Sequence, residues 1–121
     1  MGDYTLIAIG ARNEANAGET VNIIASVKNF WTSSINIRVT GVAGSLKLYF
    51  GSLSKWIAPG ATYNWSDSFI MPTSDVTVKV WSWYLAGGGN WYVDDEASKV
   101  IKCLAVAEAK FSGLVASYAR G

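Results

Sequence analysis

Hydrophobic and polar positions alternate along most of this chain with a period of two, the pattern of strands with one buried and one wet face. The alternation is cleanest from Thr20 to Asn29. There Val21, Ile23, Ala25 and Val27 fall on one side and Asn22, Ser26 and Lys28 on the other, and only Ile24 breaks the polar side. Ile35, Ile37 and Val39 alternate with Asn36, Arg38 and Thr40 in the same way, and after a turn at 43–45 come Leu46, Leu48 and Phe50. Beyond the turn signal Pro59–Gly60, Tyr63, Trp65, Phe69 and Met71 share one parity, interrupted by Asp67. Pro72 closes that strand, because proline has no N–H to give to a ladder.

Val76 to Val80 opens the clearest strand, which runs on through Trp81, Ser82, Trp83 and Tyr84. Gly87, Gly88, Gly89 and Asn90 turn the chain back, so that Trp91, Tyr92 and Val93 extend a hairpin. Thr5 to Ile9 reads as a short first strand and Lys99 to Val106 as the last. Between the hairpin and that last strand, Asp94, Asp95 and Glu96 read as a solvated turn. About seven strands, with turn signals at intervals of roughly 8–12 residues and no helical pattern between them, predict an all-β immunoglobulin-like antiparallel β-sandwich. The sandwich is expected over residues 1–106, with an apolar C-terminal tail or arm over 107–121. In that tail Phe111, Leu114, Val115 and Tyr118 fall at i, i+3, i+4 and i+7, a helical stripe. Ser112, Gly113 and Ser117 leave an extended arm equally open. Either form needs a surface to cover it, on its own domain or on a neighbouring subunit.

Composition narrows the chemistry. Of the 121 residues, 50% are hydrophobic and 16% charged, which is too apolar for disorder and low in charge for a soluble domain. The net charge of +1 carries no basic cluster, so a nucleic-acid partner is not expected. Histidine is absent, which removes the commonest general base and metal ligand; no catalytic, cofactor or metal site is expected. The single cysteine, Cys103, reads as a small apolar filler rather than a nucleophile. No apolar run approaches the ~18 residues of a membrane span. Met1 to Tyr4 lacks the basic segment of a secretion signal, and Leu6 stands where a myristoylation motif needs Ser or Thr.

Four stretches also carry a resemblance: Ala17 to Asn29, Ala58 to Gly60 before an aromatic strand, Phe69 to Pro72 before Val76–Val80, and Asp94 to Glu96 before the final strand. Together, over roughly residues 15 to 106, they resemble the CARDB-type immunoglobulin-like modules of adhesins, surface proteins and viral structural proteins of bacteria and archaea. Those modules commonly carry a turn residue, often Gly, after the Val-x-Asn of the first long strand, where this chain has Phe30 and Trp31. The richness in aromatic residues is closer to the viral versions. The resemblance implies a rigid structural block.

The strongest binding candidates are tryptophans. If Val76, Val78 and Val80 face the core, Trp81 and Trp83 project from the opposite face roughly 7 Å apart; a bulge after Val80 would return one of them inward. Trp91 joins them across the hairpin. The expected interface is therefore Trp81, Trp83 and Trp91 together with Phe111, Leu114, Val115 and Tyr118. The expected function is non-catalytic: a structural or assembly protein that self-associates as a homo-oligomer or with other structural subunits. A virion component (capsid, decoration or tail) or a surface layer fits, placing it in a virion or on an extracellular surface. The alternative is a carbohydrate-binding or adhesion module that holds a glycan on Trp81, Trp83 and Trp91. The first strand, Tyr4 to Ile9, or the tail would add to a neighbour by edge pairing.

Overall fold

The structure, a computed structural model, describes residues 1–104. The expectations for the tail, including Phe111, Leu114, Val115 and Tyr118, lie outside the described residues. Nine strands form: β1 (Thr5–Gly10), β2 (Glu14–Ala15), β3 (Thr20–Asn29), β4 (Ile35–Ala43), β5 (Leu46–Leu48), β6 (Ser54–Ile57), β7 (Thr62–Ile70), β8 (Val76–Leu85) and β9 (Trp91–Cys103). They make two sheets, one ordered β1-β3-β7 and the other β2-β9-β8-β4-β5, with β6 also paired to β4. All pairs are antiparallel except the two-residue β2–β9 contact. This is the expected all-β sandwich.

The alternation read from the sequence is what the core uses. Val21, Ile23, Ala25 and Val27 of β3 face Ile37 and Val39 of β4, Val78 and Val80 of β8 and Ile101 of β9 in one buried cluster. Trp65, Phe69 and Met71 fill the core along the β7 edge. Each such aliphatic side chain withdrawn from water contributes about 1.5–3 kcal/mol. Gly41 of β4 sits where two elements close on it: a β-carbon there would lie 2.6 Å from the Lys79 carbonyl oxygen and 3.2 Å from the Phe50 ring.

Among the described residues nine strands form where about seven were expected, for local reasons. The run Leu46–Phe50 is not one strand: after β5 the chain makes a 3-10 turn, Phe50–Ser52, whose φ angles of 50, 73 and 52 degrees are all left-handed. Asp67 holds this turn, its carboxylate accepting the N–H groups of Tyr49 at 3.1 Å and Phe50 at 3.0 Å. That explains an acid on the inward parity of β7. β6 carries no alternation to read, since Ser54, Lys55 and Trp56 are exposed and only Ile57 is buried.

The acidic stretch Asp94–Glu96 is corrected most. It is no solvated turn; it lies inside β9, which runs unbroken from Trp91 to Cys103. The β8–β9 register passes from Trp83 opposite Val93 to Ser82 opposite Asp95, so Asp94 is the extra residue of a β-bulge. Two consecutive residues of a regular strand point to opposite faces, and the bulge cancels that, letting both carboxylates reach β1. Asp94 accepts the N–H groups of Asp3, Tyr4 and Thr5. Asp95, 8% exposed, accepts the Ile7 N–H at 2.9 Å. Behind them the buried hydroxyls of Thr5 and Ser82 meet at 2.9 Å, and Ser82 accepts the Asp95 N–H. These side chains occupy the Thr5 and Ile7 N–H groups, which β1 turns away from β3. The expected extension of this edge by a neighbour therefore finds its donors at Thr5 and Ile7 already taken.

Candidate interaction surface

The outward face of the larger sheet is built by the odd positions of β8. Val76, Val78 and Val80 are buried, so Thr77, Lys79, Trp81, Trp83 and Leu85 point the other way. The bulge lies on β9 and leaves the alternation of β8 intact, so Trp81 and Trp83 stay on one face. Register then sets their neighbours. Trp83 lies between Arg38 of β4 and Val93 of β9, Trp81 between Thr40 and Glu96, and Leu85 opposite Trp91. Across β4, Asn36 pairs with Trp56 of β6, whose indole is 70% exposed.

Arg38 is the centre of this lattice. Its guanidinium lies 4.7 Å from the centroid of the Trp91 ring and 5.3 Å from that of Trp83, cation–π contacts with two indoles from two strands. Trp83 is fixed by its own indole N–H, which donates to the Thr40 hydroxyl at 2.8 Å. The structure therefore joins Trp83 and Trp91 through Arg38 and sets Trp81 one register step along the same face. Arg38 Nε is buried without a hydrogen-bond partner. Among the described residues the ion pairs are Met1–Asp95 and Arg12–Glu19, so no carboxylate pairs with Arg38. An aromatic surface carrying a stacked, unpaired guanidinium has the composition of a protein-binding hot spot. Arg38 itself was not read from the sequence as a site residue, because only the register brings it between the indoles.

The remaining candidates settle into structural places. Cys103 packs half-buried against the core, its Sγ 3.5 Å from the Pro72 carbonyl oxygen. The hairpin tip at Gly87–Gly89 closes by a hydrogen bond from the Ala86 N–H to the Asn90 carbonyl, with Gly88 and Gly89 at positive φ. Among the described residues no three metal-ligating side chains gather.

The sheet order and antiparallel pairing define a β-sandwich of immunoglobulin-like type. Searches of protein-family descriptions and of curated proteins find no match. Solved structures do match in fold. One is a chain of the complex between zinc 2-glycoprotein and prolactin-inducible protein from human seminal plasma, with a TM-score of 0.53 at 8% identity, covering 81% of this chain and 93% of that one. Another is the ApaA protein of Bordetella pertussis, with a TM-score of 0.53 at 12% identity, covering 84% and 94%. At these identities the likeness concerns the fold alone.

Proposed function

We propose that this protein is a non-catalytic structural block that associates through the outward face of its larger sheet, first with further copies of itself. The observation that carries this reading is the joining of Trp83 and Trp91 through Arg38, with Trp81 one register step along the same face: a half-buried aromatic patch with an unpaired cation at its centre. Burying an indole at such a patch excludes far more water than a flexible polar side chain does, at a small entropic cost. The Arg38 guanidinium then selects a partner surface that offers a carboxylate or clustered carbonyl oxygens. A role in a virion or surface layer, and kinship with CARDB-type modules, fit this reading and belong to it as proposals.

The carboxylates support the absence of catalysis in this reading. Asp67, Asp94 and Asp95 each accept backbone N–H groups of their own chain, which leaves them holding strands and turns rather than facing a cleft. Electron microscopy of the purified protein, with light scattering on the full chain and on a chain lacking residues 107–121, tests the proposal. Particles, filaments or a mass that grows with concentration are expected in the full chain. A monomer at high concentration in both chains contradicts it.

A further inference from the structure

At one end of the sandwich a cleft of about 470 Å³ opens between the start of β1, the β3–β4 loop, β6 and the end of β8. Its volume lies in the range of small-ligand clefts. Its walls are aromatic: Tyr4, Trp31, Trp56 and Tyr84 all line it. Tyr4 meets Trp31 edge-on at 4.9 Å and Tyr84 edge-on at 4.9 Å, so the rings buttress one another. Trp31 is positioned by Asn29, which is fully buried; its Oδ1 accepts the Trp31 N–H while its Nδ2 donates to the carbonyls of Ser33 and Ile57. The Asn that ends the long β3 strand therefore organises the loop that forms the cleft.

The polar part of the lining is neutral. Ser34 and Asn36 belong to the cleft, and no charged side chain does. Asn36 Oδ1 is buried without a hydrogen-bond partner, which leaves the amide free to turn its polar atoms toward the cleft. Trp, Tyr, Ser, Asn and Gly at the loop end of an immunoglobulin-like sandwich also make up the residue set that antibody combining sites use.

We infer that this end cleft is a binding site for a neutral carbohydrate, one sugar ring stacking on the exposed indoles while its hydroxyls bond Asn36 and Ser34. Sugar rings present C–H groups on their faces and hydroxyls on their edges, which matches flat aromatic walls with uncharged amide and hydroxyl partners. An anionic or cationic ligand finds no countercharge among the lining residues. The cleft adjoins the Trp83–Arg38–Trp91 cluster, since Asn36 and Leu85 of its lining lie two residues from Arg38 and Trp83 on the same face, but none of those three residues lines it.

The test is an NMR titration of the full chain, reading the indole N–H signals of its six tryptophans. The probes are neutral oligosaccharides of glucose, galactose, mannose and N-acetylglucosamine, with choline and a proline-rich peptide as competing ligand classes. Saturable shifts of the Trp31 and Trp56 signals by at least one neutral saccharide are expected, with a Kd on the order of 1 mM or tighter. Trp31→Ala and Asn36→Ala should each weaken binding roughly tenfold or more, and Ser66→Ala, on the other sheet, should leave it unchanged. Trp56→Ala, on a largely exposed side chain, keeps the test open if Trp31→Ala does not fold. No shift with any neutral saccharide, shifts only with choline or the peptide, or binding that survives both Trp56→Ala and Asn36→Ala overturns the inference.

Discussion

The two outward faces of this sandwich are made by the same alternation and yet differ completely. On the smaller sheet the outward positions of β3 and β7 are Thr20, Asn22, Ile24, Ser26 and Lys28, and Thr62, Asn64, Ser66, Ser68 and Ile70. These are mostly short hydroxyls and amides, and the Ser26 hydroxyl donates to Asn64 Oδ1 at 2.7 Å. On the larger sheet the same parity delivers Trp83 and Trp91 against Arg38, Trp81 one register step along and Trp56 opposite Asn36. Period two decides only which side of a strand goes inward. What the other side presents depends on residue identity: here one face carries mainly short polar side chains, with Leu6, Ile24 and Ile70 among them, and the other carries half-buried indoles around a cation.

The largest effect should come from breaking the joint between the sheets that carry those faces. Asp95→Ala strands the buried Ile7 N–H and removes the carboxylate that pairs with the Met1 amino group. We expect a loss of about 2–4 kcal/mol, read from urea unfolding. If both carboxylates merely sat in solvent, the loss would be within ~0.5 kcal/mol. Next in size, Asp67→Ala should remove about 1–2 kcal/mol by freeing the N–H groups of the left-handed turn.

The faces themselves are compared by a matched pair. Trp83→Ala should weaken self-association about tenfold, equivalent to ~1.4 kcal/mol, while Ser66→Ala on the opposite face should leave it unchanged. Equal effects from the two would erase the distinction. The smallest effect concerns alkaline pH. The Tyr84 phenol is pushed above its ordinary value of 10.0 by burial first, then by Tyr4, Asp94, Asp3 and Tyr92. The folded state thus keeps this proton longer than the unfolded chain. The resulting stability is fully present below the unfolded value and is lost as pH rises through the folded one. Tyr84→Phe should flatten that alkaline loss in urea midpoints measured across pH, and an unchanged slope would count against this account.

Much of the fold was legible in the sequence because burial follows parity. The inward residues of β3, β4 and β8 are those the alternation named, and the shared face of Trp81 and Trp83 follows from the same rule. What could not be read was long-range acceptor chemistry. Asp94 binds an N–H 91 residues earlier in the chain, and nothing local to an acidic triplet marks that. The bulge was hidden for the same reason, since one extra residue shows only against its partner strand. Arg38 joined the tryptophans only through register, and the end cleft only through the meeting of four separated segments.

The central claim is that the tryptophan face of the larger sheet drives assembly. Molar mass by light scattering across a concentration series, for the full-length chain and its Trp83→Ala variant, tests it most directly. The account predicts a mass that rises with concentration in the native chain and shifts toward the monomer in the variant. A native chain that stays monomeric throughout, or a variant that assembles as well as the native chain, would contradict it.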